Sequence, residues 1–228
     1  MGTVVTGAFG FIGMNLVARL KPPVSLVGSK TAFHTMEEGL KTADVVYHLA
    51  GANRPDSVSD FEKVNVNLTK DICNILLSNS RSPRIIFASS IQAEQDNSYG
   101  RSKRRAEEAL QGFAAKSGAD VRIYRLRNVF GPGCKPNYNS VVATFCHNVA
   151  HGIPLKIDDP SRVVELVFVD AVVNAFLKLT PPQDIPYTKI TVVELAESIK
   201  NAKQGLVGST RFEHQLYYTY LSYVGEGV

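Results

Sequence analysis

Through the first half of the chain, short apolar runs alternate with longer stretches in which apolar residues return every three or four positions. "TVVTG", residues 3–7, has the length and β-branched content of a buried strand, and "FGFIGMNLVARL" after it repeats at helical spacing. The alternation continues with "PVSLVGS" (strand), "MEEGLKTA" (short helix), "DVVYHLAG" (strand) and "DFEKVNVNLTKDICNILLSN" (long helix). It closes with "RIIFASS" (strand), "SYGRSKRRAEEALQGFAAKSG" (helix) and "DVRIYRLRNVFGP" (strand). Apolar strands joined by helical crossovers predict a parallel sheet covered on both faces, the doubly wound α/β class.

After Gly131 the regularity fades. "GPGCKPNYN" reads as a loop, "SVVATFCHNVAHG" as a helix, "VVELVFVD" as a strand and "AVVNAFLKL" as a helix. "VVELAESIK" and the aromatic "FEHQLYYTYLSYV" read as helices, and the proline-rich "TPPQDIP" as a joint. The expected division is a dinucleotide-binding core over residues 1–130, to which 163–180 returns. Residues 131–162 and 181–228 are expected to form a small substrate-binding lobe.

A hydrophobic content of 44% in 228 residues is enough for a sizeable core, and 25 basic against 21 acidic residues is too even to favour nucleic acid or an anionic membrane. The one basic cluster, Arg101, Lys103, Arg104 and Arg105, reads as a solvated helix side except at Lys103. Cys73, Cys134 and Cys146 are odd in number and scattered, as expected of reduced packing residues in a cytoplasmic protein. No signal segment and no apolar run of membrane-spanning length is visible, so neither export nor membrane insertion is expected. His147 and His151 stand i, i+4 but lack a third ligand of suitable spacing, so no metal is expected. His34 and His48 read as structural, and Tyr217, Tyr218, Tyr220 and Tyr223 as packing against the lobe or a partner.

The chemistry concentrates in "SSIQAEQDNSYGRSK". On a helix, Tyr99 and Lys103 share one face, and an ammonium there lowers a phenol pKa from its usual value of ~10. Such a tyrosine exchanges a proton near neutral pH. "TGAFGFIG" places Gly7, Gly10 and Gly13 between the first strand and a helix, where a tight turn can approach a pyrophosphate. At the end of the second strand, Ser29 and Lys30 stand where a carboxylate would otherwise receive an adenosine ribose, which favours NADP(H), with NAD possible. "HLAG" supplies small residues at the third strand end, Leu49, Ala50 and Gly51 among them.

Together, the G-x-x-G-x-x-G turn, "HLAG", Asn65 of "NVNLT", the serines of "FASS" and the Tyr99/Lys103 pair resemble the extended short-chain dehydrogenase/reductases, which have a Rossmann fold. "AGANRPDSVSDF", "SSIQAEQDNSYGRSK", "CKPNYNSVVATFC" and "LYYTYLSY" are similar to one subgroup, the reductase domain of CapF/WbjC-type enzymes of capsule polysaccharide biosynthesis. That resemblance implies NADPH-dependent reduction of the 4-keto group of a UDP-2-acetamido-2,6-dideoxyhexos-4-ulose on the way to UDP-N-acetyl-L-fucosamine. It implies Tyr99 as proton donor, Lys103 as the cation at the tyrosine and nicotinamide ribose, and Ser90 as donor to the developing alkoxide. Ser89 is the alternative, since a doublet does not show which hydroxyl faces the site. The implied cofactor set adds Phe9, Phe11, Ile12, Asn65, Ala88 and Leu126. The implied nucleotide-sugar set is Asn128, Lys135, Asn137, Asn139 and Ser140, with Ser89 beside them.

The eight residues separating Ser90 from Tyr99 are fewer than in most extended members and suit this subgroup. "SRVVELVFVD" is shorter than the pattern and leaves Arg162 without a firm counterpart. The subgroup also implies a homodimer and a cupin epimerase domain, or a partner carrying it, not contained in this sequence. Two other readings stay open: an NAD-dependent epimerase or dehydratase of the same fold, and a non-catalytic dinucleotide-sensing regulator.

Overall fold

The computed structural model describes residues 2–55 and 57–225, which fall into two units that meet in sequence at Leu126 and Arg127. In the first, the apolar runs become five parallel strands: β1 (Thr3–Thr6), β2 (Val24–Val27), β3 (Val45–His48), β4 (Arg84–Ser90) and β5 (Val121–Leu126). Their order is β2-β1-β3-β4-β5. The order reverses at β1, which has β2 on one side and β3 on the other, so the ends of β1 and β3 open a crevice of the kind that holds ligands in doubly wound sheets. The helices are α1 (Phe11–Val17), α2 (Phe33–Lys41), α3 (Leu68–Ser78) and α4 (Ser98–Ser117). Val4, Val46, Ile85 and Phe87 from the sheet pack with Leu40, Ile72, Leu76, Leu110 and Phe113 from α2, α3 and α4 in one apolar cluster. Burial of β1, β3 and β4 from both sides explains their continuous apolar character.

The second unit contains β6 (Asn128–Phe130), α5 (Val141–Ala150), β7 (Val163–Phe168), α6 (Val169–Lys178), β8 (Thr188–Thr191), α7 (Val192–Lys203) and α8 (Arg211–Leu221). β7 pairs parallel with β6 and antiparallel with β8, forming a three-stranded sheet. Phe130, Phe145, Leu195, Ile199, Leu216 and Tyr220 fill its core. α7 and α8 both begin in capping boxes, Thr191 with Glu194 and Thr210 with Glu213, which satisfy first-turn amides reciprocally.

Three details differ from the sequence expectation. "DVRIYRLRNVFGP" is two strands, because β4 offers its last partner at Ser90, opposite Leu126, and the chain then pairs with β7. The segment 163–180, expected to return to the first sheet, lies in the second unit, where β6 and β8 occupy both edges of β7. The long helix over 60–79 opens with a π-helical turn, Phe61–Asn67, before α3.

Candidate active site

Helix α4 carries the Tyr99/Lys103 pair and starts from Asn97, whose side chain accepts from the Gly100 amide at 2.7 Å. The sequence reading gave Gly100 no role. A Cβ there would stand 2.1 Å from the Gln92 carbonyl oxygen and 2.6 Å from that of Gln95. Only glycine lets the first turn of α4 lie against the 3₁₀ turn Ile91–Glu94 that follows Ser90. That contact holds the start of α4, which carries the Tyr-Lys pair, against the turn that follows the serine. The signal was present in the sequence: a glycine between the tyrosine and the lysine, inside a helix it does not favour. Tyr99 is half-buried, its ring centroid 5.9 Å from that of Phe61.

Lys103 is 5% exposed. Its Nζ donates to the Ala88 carbonyl at 2.9 Å and lies 4.9 Å from the centre of the Phe87 ring. Burial disfavours the ammonium and lowers the lysine pKa to about 8, with the Glu107 carboxylate pulling the other way. A Cβ on Gly51 would lie 3.0 Å from Lys103 Nζ and 3.3 Å from Asn65 Oδ1, so any larger residue at the glycine of "HLAG" would press on the lysine head.

The register of β4 against β5 separates the serine doublet. Ser89 is paired with Arg125 and Ser90 with Leu126, and paired residues share a face while neighbours along a strand do not. The Ser89 hydroxyl donates to buried Glu107 at 2.5 Å, and Arg125 grips the same carboxylate, Nη2 to Oε2 at 2.6 Å. Ser89 is thereby committed to the protein's own ion pair. Ser90 Oγ accepts from the Gln92 amide at 3.2 Å, capping the 3₁₀ turn and keeping its own proton for another acceptor.

Asn65 is 1% exposed, and its amide is spent internally. Oδ1 accepts from the Ala52 amide at 2.8 Å, and Nδ2 donates to the Ala52 carbonyl at 3.0 Å and to Ser102 Oγ at 2.8 Å. Ser102 in turn donates to the Tyr99 carbonyl at 2.7 Å. Asn65, expected to touch cofactor, is placed as a brace joining the exit of β3 to α4. Beneath it, Thr69 donates to the Asn65 carbonyl at 2.7 Å, so Thr69 must accept from His48 Nε2, 2.8 Å away. His48 Nδ1 is then the acceptor for the Thr6 hydroxyl at 2.7 Å, which fixes the tautomer. Burial, with Lys103 nearby, lowers the His48 pKa to about 3 and keeps this ring neutral.

The three glycines of the first turn divide the work. Gly7 has φ +68°, and a Cβ on it would stand 2.6 Å from the Ala50 amide nitrogen; on Gly13 it would stand 2.1 Å from the Gly7 carbonyl oxygen. Both are demanded by the fold. Gly10 is exposed, and a Cβ there would meet only the Gly7 carbonyl oxygen, at 3.2 Å. Its bareness opens the loop to a ligand, so the residues present fit a dinucleotide pyrophosphate. Phe9 is exposed with its ring against Gly28, Phe11 and Ile12 are half-buried in α1, and Ser29 and Lys30 are exposed beyond β2. Leu49 and Ala50 are half-buried, Leu126 buried.

In the second unit, Asn128, Lys135, Asn137 and Asn139 are exposed. Asn128 Nδ2 donates to the Glu165 carbonyl at 3.3 Å, and Asn137, at φ +54°, donates its amide to Thr144 Oγ1 at 3.0 Å. Ser140 is the N-cap of α5, accepting from the Ala143 amide at 3.2 Å. Arg162 is exposed. The His147 and His151 rings lie 4.3 Å apart, and among the described residues no three His, Cys, Asp or Glu side chains converge as metal ligands would. No described helix is long and apolar enough to cross a membrane.

The model of the NAD dependent epimerase/dehydratase family matches residues 3–191. Over 99% of its length the chain is 41% identical to the UDP-2-acetamido-2,6-beta-L-arabino-hexul-4-ose reductase of Pseudomonas aeruginosa, spanning 66% of that protein. The capsular polysaccharide assembling protein CapF of Staphylococcus aureus superposes with a TM-score of 0.87 at 37% identity, over 98% of this chain and 66% of that one. The UDP-glucose 4-epimerase of Thermus thermophilus, solved with NAD, has a TM-score of 0.79 at 19% identity over the whole of both chains, a likeness of fold.

Proposed function

The chain belongs to the NAD dependent epimerase/dehydratase family, and from that premise we propose that it reduces the 4-keto group of a UDP-2-acetamido-2,6-dideoxyhexos-4-ulose with NADPH. The product would lead to UDP-N-acetyl-L-fucosamine for a surface polysaccharide. The observation carrying the reading is the packing of the first turn of α4, the helix that carries Tyr99 and the buried Lys103, against the 3₁₀ turn that follows Ser90. Identity to a UDP-sugar reductase over nearly the whole chain supports the substrate class.

A bound nicotinamide dinucleotide supplies the hydride that reaches the ketone carbon. Tyr99 gives its proton to the ketone oxygen as charge develops there. Lys103, an ammonium below about pH 8, stabilises the phenolate left behind and bonds the nicotinamide ribose. Ser90 donates to the same oxygen and lowers the cost of its charge. Asn128, Lys135, Asn137 and Asn139 hold the UDP-sugar by hydrogen bonds and charge, with the Ser140 hydroxyl added after its capping bond. A homodimer, a cytoplasmic setting and a cupin epimerase, in the same protein or a partner, belong to this reading.

The test is NADPH oxidation with the 4-keto sugar. One NADPH consumed per sugar reduced supports the proposal; conversion with no net NADPH consumption points instead to an epimerase of the same family, in which the tyrosine takes a proton. Tyr99→Phe should lower turnover by ~10²–10⁴ while NADPH still binds. For the cofactor, Lys30 near the β2 end favours a 2'-phosphate, so NADPH should bind more tightly than NADH and Lys30→Asp should narrow or reverse the preference. Equal dissociation constants in the unaltered protein would remove that argument.

A further inference from the structure

One turn beyond Lys103 on α4, Glu107 is 3% exposed, and the chemistry above does not use it. Its oxygens are fully engaged: Oε1 accepts from Ser89 Oγ at 2.5 Å and from Arg125 Nε at 3.0 Å, and Oε2 from Arg125 Nη2 at 2.6 Å. Arg125 reaches with its other nitrogen, Nη1, to exposed Glu94 at 2.9 Å. Only Glu107 is buried in this pair, the Arg125 side chain being 39% exposed, and an ion pair with a desolvated member is a poor source of stability. Its location says more. The groups around Lys103 are the Ala88 carbonyl and Phe87 ring on β4, neutral His48 on β3, the Asn65 amide on the π-helical turn, and Tyr99 and Glu107 on its own helix. Of these, Glu107 is the anion.

We propose that Glu107 is a positioning residue for Lys103: a carboxylate immobilised by Ser89 and Arg125, whose field keeps the buried lysine an ammonium and so ready to meet the dinucleotide. Its direct hydrogen bonds go elsewhere, so it acts through space without drawing the lysine head away from the ligand. Burial alone drives the lysine toward neutrality, and the carboxylate opposes that drift. Losing the carboxylate therefore moves deprotonation to lower pH, into the range where a reductase works.

The inference rests on the proposed contact of Lys103 with the cofactor, and its test needs no turnover. NADPH affinity of the full chain is measured by fluorescence titration from about pH 6 to about pH 10, a span bracketing the lysine. Binding should weaken as pH rises through about 8. In Glu107→Gln the weakening should begin about one pH unit lower, the size expected of one nearby charge. Glu94→Gln, which removes the exposed carboxylate on the far side of Arg125, should leave the profile in place. Because removing one partner of the buried Glu107 cluster can unfold a protein, the double variant Glu107→Leu/Arg125→Met removes the pair as a unit. It too should shift the profile to lower pH. An unmoved profile in Glu107→Gln, or in the double variant where the single one does not fold, overturns the inference and leaves the proposed reductase standing. Failure of the unaltered protein to bind NADPH or NADH at any pH overturns both.

Discussion

Nine of the ten polar or charged side chains buried among the described residues lie in the first unit, from Thr6 and His48 through Asn65, Lys103 and Glu107; the second unit buries Thr219. Burying a polar group costs free energy unless its hydrogen bonds are replaced, so each of these nine needs a partner already in position. The first unit meets that demand with the Thr6–His48–Thr69–Asn65 chain and the Ser89–Glu107–Arg125 cluster. Its chemistry is built into its interior. The second unit keeps an apolar core and carries its candidate ligand groups at its surface, where water can reach the atoms the protein does not bond. Changes of charge and volume should therefore be costly in the first unit, and changes of polar side chain cheap for stability in the second.

The largest expected effect is on acid stability. His48 has a folded pKa near 3, against an ordinary value of 6.5. Below pH 6.5 the unfolded chain takes up a proton that the folded chain refuses, so stability falls as pH drops toward 3. The full contribution is on the order of 5 kcal/mol. Urea unfolding at neutral pH and near pH 4 measures it. His48→Gln should be less stable at neutral pH yet lose less on acidification; an equal acid loss would show that the buried imidazole is not the sensitive group.

Next comes the packing of α4. Gly100→Ala forces a methyl against two backbone carbonyls that cannot yield cheaply. It should cost about 1–3 kcal/mol of stability, as overpacking does, and turnover should fall further as the turn after Ser90 is displaced from Tyr99. Unchanged keto-sugar turnover in this variant would break the assignment of the site. In the second unit, Lys135→Ala should raise KM for the UDP-sugar about tenfold, the equivalent of one lost charge contact. Its unfolding free energy should stay within about 0.5 kcal/mol of the parent, because Lys135 is exposed. A KM unchanged by the substitution would remove that loop from the proposed sugar site. The smallest effect is a gain. Gly112, in the same helix as Gly100, has nothing within 4 Å of where a Cβ would be, and Gly112→Ala should stabilise by about 0.5–1 kcal/mol. Thermal unfolding of the two glycine variants side by side separates contact from propensity.

Local pattern carried much of this protein. Runs such as "TVVTG" and "RIIFASS" fix strands by their continuous apolar character, and the four-residue step from Tyr99 to Lys103 places both on one helix face wherever that helix lies. The glycine turn is legible for the same reason, since Gly7 is needed at a positive φ that few other residues adopt. Information that depends on which distant residue stands opposite was out of reach. Ser89 and Ser90 are chemically identical, and the β4–β5 register sent one to Arg125 and Glu107 and left the other to cap the 3₁₀ turn after β4. Asn65 was recognisable as a family position, but its engagement with Ala52 and Ser102 depends on how the π-helical turn meets α4. The departure of the chain to β6 after Leu126 depends on β4 ending at Ser90, and Ser140 became a helix cap because α5 begins there. Helical and strand periodicity follow from each residue's own backbone geometry, so the sequence by itself determined most of the elements and the placing of Tyr99 and Lys103 on one helix. Register, burial and the partners of buried polar groups arise from contacts between residues far apart in the chain, and only the tertiary structure decided those.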